Sequence, residues 1–384
     1  MARFAFVTWG GAGNQTPAIG LADALAGRGH EITFAGYDEQ RERFTALGFP
    51  FRTLRHAQRR WPAAQPPDWM PVLADVVWAC GEHLRDVPEL LAAEHYDALV
   101  IDCLMFGALA AAERESLPAA VLVHSAPGAL LPPGGGLDQL ALARVNELRS
   151  SAGLPAVKDL WETWRPFPVV CASTPDLDPP APPAPGAFAY VGPVFEPRRG
   201  APWARPWPAE DPRPLALVSF STGQAWDQTS RISRTLAALS ADRYRVLVTT
   251  AMADVSGVRA PGDAVLAPYV AHADVLPHAS VTVTHAGHGT VSASLAHGVP
   301  LVALPNPAAD QPALAGQIER LGVGIALDGD TATPDQIAGA VHTVLTGDAY
   351  ARNARRLADT IAALPGPAGA AVLLERLAGP ATGR

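Results

Sequence analysis

The chain has 384 residues, a formal net charge of −8 and 48% hydrophobic residues. At about 100–200 residues per domain this is chain enough for two domains, each able to bury its own core. The acidic balance lacks the basic face that a phosphate-backbone binder needs, so nucleic acid is excluded as a partner, and no apolar run approaches the roughly 18–20 residues of a membrane span.

The N-terminus, "MARFAFVTW", meets glycine after a strand-length apolar run and has no secretory cleavage pattern, so it reads as a cytoplasmic start. "RFAFVTW" is the first strand candidate; the glycine-rich turn "GGAGNQTP" leads from it into a helix from Pro17 to about Gly27. "EITFAG" and "FPFRTL" follow, then a helical stretch from about Trp69 to Glu94, "DALVID", the helix "FGALAAAERE" and the strand "AAVLVHS". This βαβα order predicts a parallel sheet with helices on both faces. Between "FPFRTL" and the long helical stretch lies "RHAQRRWPAAQPPDWMP", which carries Trp61 and Trp69. A loop of that length is either a surface insertion or a substrate loop, and its aromatics suit an apolar ligand.

The segment "STPDLDPPAPPAPGAFAYVGPVFEPRRGAPWARPWPAEDPRP" is so dense in proline that neither helix nor sheet ladder is expected to persist through it. It divides the chain into a first α/β domain (1–190), a stiff linker (191–214) and a second α/β domain with a helical tail (215–384), with a cleft between the domains as the default ligand site. The second half repeats the plan: "LALVSF", a helix from about Trp226 to Leu239, "YRVLVTT", a short helix near His272 to Pro277, "SVTVTHAGHGT", "VPLVALP", a helix from Pro312 to Leu321, "GIAL" and helices after Pro334. Cys80, Cys103 and Cys171 are odd in number and outside any CxxC pair, so they are expected as small buried apolar groups.

"VTHAGHGTVSASLAHGVP" carries the most chemistry. Val281 to Thr284 read as a buried strand, Ala286, Gly287 and Gly289 let backbone amides approach a ligand, and Thr290 opens a helix. A glycine-rich turn feeding a helix N-terminus from a parallel strand is a ready anion site, and a phosphate with added donors from His285 and Thr290 fits it. Twenty residues on, Asp310 and Gln311 in "VALPNPAADQP" place a carboxylate beside an amide, the acceptor and donor set that sugar hydroxyls require. "LVSFSTG" adds Ser221, Thr222 and Gly223 on the same sheet edge. His285 and His288, with His272, His278 and His297 nearby, come without an HExxH or clustered carboxylates, which disfavours zinc. "SFSTG" lacks the first glycine of a nucleophile elbow, and "GGAGNQTP" is no G-x-G-x-x-G, which disfavours a serine hydrolase and a dinucleotide oxidoreductase.

The stretch from "APYVAHADVLPHASVTVTHAGHGT" through "ADQPALAGQIERLGVGIAL" resembles the nucleotide-sugar-binding signature of family-1 glycosyltransferases, in particular bacterial natural-product enzymes of the GT-B type. The resemblance implies two Rossmann-like domains facing each other across a cleft, with the C-terminal helices free to pack back on the N-terminal domain. It implies that His285, Gly287, Gly289 and Thr290 hold the donor diphosphate with Thr222 close by. Asp310 and Gln311 would hold the sugar, and the backbone near Val270 would meet the nucleobase. It further implies an inverting, metal-independent transfer without a cofactor, from a TDP- or UDP-sugar to a small hydrophobic aglycone held by the N-terminal domain; a homodimer is left open.

One position departs from that pattern. Such enzymes usually carry a general-base histidine, in some bacterial members an aspartate, where "GNQTP" places Asn14. A positioned base is worth about 10²–10⁴ in rate. Asp102, at the end of "DALVID", stands where the family's orienting aspartate is expected, so Asn14 and Asp102 are the catalytic candidates. Four accounts stand side by side: Asp102 acts as base directly or through water; the acceptor is already an anion; another residue such as His124 serves; or the protein binds nucleotide sugar without turning it over, as an auxiliary protein. Asn14 also has a plain reading as a turn residue with positive φ, and Asp102 one as a strand-end cap. Trp69, Phe106 and His124 are the candidate acceptor contacts, with packing as the competing role for Trp61, Trp69, Trp78 and Phe106.

Overall fold

A computed structural model describes residues 1–63, 69–179, 188–220, 228–307 and 309–379. The chain forms two compact units, one of Met1–Thr174, Pro180–Pro197 and Pro365–Arg384, the other of Pro175–Pro179 and Arg198–Leu364.

The first unit is built on seven parallel strands, β1 (Arg3–Val7), β2 (Glu31–Gly36), β3 (Phe51–Thr53), β4 (Ala98–Asp102), β5 (Ala119–Val123), β6 (Val169–Cys171) and β7 (Phe188–Tyr190), in the order β3-β2-β1-β4-β5-β6-β7. The inner strands β1, β4, β5 and β6 are buried on both faces apart from Arg3, as parallel strands covered by helices must be. Phe4 and Phe6 of β1 point into one core with Ile19, Leu21 and Phe34, whereas Ala5 and Val7 point into the other with Trp78, Ile101 and Trp164.

Several expectations are corrected here. The first helix runs Ala12–Ala26 and contains Pro17 rather than starting at it. Asn14 therefore sits in a helical turn, not in a positive-φ turn. The stretch from Trp69 to Glu94 is not one helix. It is Trp69–Leu73, a widened turn at Ala74–Trp78, and a separate helix His83–Ala93. The break around Cys80 and Gly81 lets the Cys80 carbonyl sit against Gly107, where any Cβ would collide with it. Phe188–Tyr190, within the proline-dense segment, does pair as the edge strand β7 on β6, because this triplet is proline-free and an edge strand needs partners on one side only. The helix Gly136–Ser151 is an element the sequence reading passed over.

The second unit holds β8 (Leu215–Ser219), β9 (Arg245–Thr249), β10 (Val265–Ala267), β11 (Ala279–Thr284), β12 (Leu301–Ala303) and β13 (Gly324–Ala326), all parallel, in the order β10-β9-β8-β11-β12-β13. Both sheets thus reverse strand order once, beside β1 in the first and beside β8 in the second. In open α/β sheets the carboxyl ends of the strands flanking such a reversal form the natural ligand crevice.

The run Asp348–Leu377 is long and apolar enough in composition to cross a membrane. It is two helices, Asp348–Ala362 and Gly366–Leu377, interrupted at 363–365. The second returns to the first unit, although it lies in the sequence-drawn tail of the second domain. It packs on Ala12–Ala26 and is fixed by Glu375, which pairs with Arg28 at 2.6 Å and His30 at 2.8 Å. Cys80, Cys103 and Cys171 are all buried and free.

Candidate active site

The reversal in the first sheet brings together the ends of β1, β4 and β5. Asp102 closes β4 and is 4% exposed. Its Oδ1 accepts from Trp9 Nε1 and from the Leu104 amide, each at 3.0 Å. Its Oδ2 accepts from Asn14 Nδ2 at 3.2 Å and from His124 Nδ1 at 3.0 Å. Two donors per oxygen fill the roughly four lone-pair sites of a carboxylate. Burial works against the charge, but His124 and the other donors outweigh it and hold Asp102 below the usual carboxylate range. Asp102 is therefore an ionised anchor with donors on both oxygens, an arrangement suited to orienting its neighbours.

Asn14 faces the same carboxylate from the helix. Its amide nitrogen also lies 3.2 Å from the Trp9 carbonyl and 3.3 Å from Thr8 Oγ1. Its Oδ1 is buried with no partner among the described residues, an acceptor left open at the heart of the site. His124 follows β5 directly, and Asp102 is in register with Leu122 on that strand. The ring is 11% exposed. Cys103 Sγ lies 3.6 Å from its Nδ1. Burial opposes the charged ring, but the Asp102 carboxylate wins and raises His124 well above its ordinary value. Since the ionised Asp102 can only accept, Nδ1 carries a proton and Nε2 is the other face of the ring.

Asp102, Cys103 and His124 place ligand atoms within 4.8 Å of one another, a spacing a metal ion would accept. As they stand, the carboxylate is saturated with donors and burial pushes the Cys103 thiol up, away from the thiolate a metal needs. Of the candidate acceptor contacts, Phe106 is 2% exposed and packs in the core, so it is no contact surface. Trp69 is half-buried and meets Trp61 edge-on at 5.4 Å, and Trp61 in turn lies 4.7 Å from Tyr37. Trp61 and Trp69 pack against the same core that holds Trp78 and Trp9, which contact each other edge-on at 6.4 Å.

In the second unit the reversal lies between β8 and β11. His285 follows β11, and Gly287 is the N-cap of the helix His288–Ala296, so the helix begins two residues before Thr290. A Cβ on Gly287 would collide with the His285 ring, 2.8 Å from Cε1, whereas a Cβ on Gly289 would meet nothing within 4 Å. The first-turn amides of such a helix have no intrahelical acceptor. Burial pushes His285 down to about 4, so its ring is neutral at pH 7; a bond to the Ser219 backbone and the nearby Arg231 act in opposite senses. His285 Nδ1 has no partner among the described residues. Asp310 is the N-cap of Gln311–Arg320, and Gln311 accepts from the Asn306 amide at 3.0 Å.

Below these loops Arg231, 3% exposed, binds the Asn306 side chain, the Gly329 carbonyl at 2.9 Å and Asp330 at 2.6 Å. Val270 is 7% exposed and its side chain belongs to the core. Thr222 lies outside the described residues. Three alanines in the loops that follow β9, β11 and β12, namely Ala251, Ala286 and Ala309, have φ of +48°, +63° and +57°. A cavity of about 440 Å³ lined by Pro214, Ala279, Pro300 and Arg355 lies at the opposite, amino-terminal ends of the strands and has no part in these loops. Trp9, Arg231 and Asn306 went unnoticed in the sequence, because their roles come from distant partners and no local spacing announces them.

Two parallel sheets, each with residues of distinct chemistry at its reversal, place the chain in the class of GT-B folds, and its relatives in sequence are glycosyltransferases. The C-terminal domain described as erythromycin biosynthesis protein CIII-like matches residues 233–377. Demethyllactenocin mycarosyltransferase of Streptomyces fradiae is 28% identical, over 99% of this chain and 87% of that protein. O-mycaminosyltylonolide 6-deoxyallosyltransferase of the same organism is 26% identical, over 98% and 97%. The crystal structure of the glycotransferase of kitacinnamycin superposes with a TM-score of 0.78 at 24% identity, over 98% of each chain. Within its class the chain is a relative of bacterial natural-product glycosyltransferases.

Proposed function

We propose that the chain transfers a hexose, a deoxysugar foremost, from a TDP- or UDP-sugar to a small apolar natural-product aglycone, with inversion at C1 and without a metal, in the cytoplasm. The observation that carries this reading is the edge of the second sheet beside β8. There the N-terminus of His288–Ala296, which no side chain caps, the open space over Gly289 and a buried His285 with an unpartnered Nδ1 meet at one strand end. A diphosphate supplies the acceptors that the helix amides lack, and His285 Nδ1 becomes a donor to it once the ring takes up a proton. His285, Gly287, Gly289 and Thr290 bind the diphosphate, Asp310 and Gln311 the sugar hydroxyls, and the backbone at Val270 the base. The helix dipole and amides balance charge that grows on the leaving diphosphate as the C1–O bond breaks.

In the first unit the Trp61 and Trp69 rings suit the apolar body of an aglycone, and Asn14 with Asp102 orders its reacting end. The deoxysugar is supported by two relatives named for mycarosyl and 6-deoxyallosyl transfer. Calorimetry with TDP and UDP, followed by mass spectrometry of a panel of nucleotide sugars and aglycones, tests the reading. Binding of neither nucleotide removes it. Binding without any transfer selects the second reading, a nucleotide-sugar-binding auxiliary protein, which Asn14 at the usual base position favours.

A further inference from the structure

We propose that His124 is the general base of this enzyme, taking the acceptor's proton at Nε2 while Asp102 holds the ring; the assignment rests on the glycosyl-transfer reading of the same site. The turn after β1 offers no base, since the side chain of Asn14 is an amide whose nitrogen already donates to Asp102. Asp102 itself has two donors on each oxygen. His124 is the group that remains with a basic atom, and it has what a base requires. One ring nitrogen is fixed by a carboxylate at 3.0 Å, and the other has no hydrogen bond among the described residues. Its ring is more exposed than the carboxylate that orients it. A base oriented by a third group is the recurring logic of nucleophile activation. Here the imidazole comes from the end of β5 instead of the loop after β1, and it addresses the same carboxylate from the other side.

The step balances without a further reactant. The acceptor atom X of an O–H or N–H group forms a bond to C1 as the C1–O bond to the diphosphate breaks. The bonding pair leaves on the nucleotide diphosphate, and the X–H proton passes to His124 Nε2 and later to solvent. The titratable groups that face the ring are Asp102 and Cys103. Because Asp102 favours the protonated ring, His124 must lose a proton before it can accept one. The rate therefore rises with pH through a pKa above 6.5.

The test uses the full chain and an aliphatic alcohol acceptor, which does not itself titrate. His124→Gln keeps an amide that can donate to Asp102 but removes the basic nitrogen. It is expected to lower kcat by about 10²–10⁴-fold, to leave calorimetric affinity for TDP or UDP unchanged and to abolish the acid limb of the rate profile. If the variant does not fold, the parent's profile decides: kcat/KM climbing about tenfold per pH unit below an apparent pKa above 6.5 supports the assignment. A flat profile, or His124→Gln turning over at the parental rate, overturns it while leaving the function intact. A parent chain that binds neither nucleotide overturns function and base together, and one that binds without transfer overturns the base because no proton moves.

Discussion

His124 Nδ1 and Asp102 Oδ2 close a 3.0 Å hydrogen bond between the ends of two adjacent strands, and that bond decides which face of the imidazole is turned to a substrate. Asn14 reaches the same oxygen from the helix after β1. The position that usually carries a base has become a support for the carboxylate, and the imidazole stands one strand further along.

This arrangement makes Asp102 costlier to lose than Asn14. Asp102→Ala strands Trp9 Nε1, the Leu104 amide, Asn14 Nδ2 and a buried imidazole without their acceptor. The expected loss is at least about 3 kcal/mol. Asn14→Ala removes one neutral donor and is expected to lose about 1 kcal/mol. Thermal unfolding of the two variants checks the order, and equal melting temperatures would contradict it.

Binding of the nucleotide diphosphate should take up a proton in mild acid. Free His285 titrates at about 4 because burial disfavours its charge. A diphosphate beside it raises that value, so affinity tightens as pH falls from 7 toward 5. Calorimetry in buffers of different ionisation heat counts the proton, and His285→Ala should both weaken binding and abolish the uptake. Affinity that is level with pH would place the diphosphate elsewhere.

Gly287 and Gly289 should fail differently. Gly289→Val projects into open space, so the fold is expected to tolerate it while nucleotide affinity drops by about tenfold or more, a loss of roughly 1.4 kcal/mol. Gly287→Ala drives a methyl into the His285 ring and should reduce stability as well as affinity. Melting curves beside titrations separate the two, and a Gly289→Val chain with unchanged affinity would show that no ligand occupies that space.

Stability should decline between pH 6.5 and about 4. His83 is fully buried, bonded through Nε2 to Tyr37 at 3.1 Å, and burial pushes it down to about 4. A folded value below the unfolded one means that the unfolded chain binds more protons in this window. The stabilisation is whole above pH 6.5 and is lost as pH falls toward 4, up to about 3 kcal/mol for His83. His83→Leu should flatten that part of a plot of urea midpoint against pH; an unaltered slope would assign it to other groups.

Transfer should survive metal removal. The proposed site meets the leaving diphosphate with a helix N-terminus and His285 rather than with a cation. Initial rates with excess EDTA are expected to match the untreated enzyme, and loss of activity restored by Mg²⁺ would overturn the metal-free mechanism.

Much of this was legible in the sequence where a local pattern carries the information. The alternation of apolar strands with helices foretold two parallel sheets, and "HAGHGT" announced a strand, a glycine turn and a helix start because each step is encoded within a few residues. Proline misled twice. Pro17 looked like a helix start but lies inside a helix, and the prolines around Phe188–Tyr190 hid a strand that needs only three residues free of them. The network on Asp102 was half legible. Asp102 could be placed by its strand end, but Trp9 contributes an indole donor 93 residues away, and no sequence period reports such a contact. The same holds for Arg231, whose partners lie 75 to 99 residues further along the chain.

Ala251, Ala286 and Ala309 bear on how this protein could be engineered. An L-residue held at positive φ costs about 1–2 kcal/mol, and glycine there would relieve that strain while giving the unfolded chain about 0.4–1 kcal/mol of added freedom. The relieved strain is the larger of the two, so alanine-to-glycine exchanges in these loops are expected to gain roughly 1 kcal/mol of stability each. What they would give up is stiffness: loops that already hold one shape when a ligand arrives would have to be ordered by it, at a cost in affinity. A search for thermostable variants that keep their affinity for a ligand does better to leave these three positions untouched.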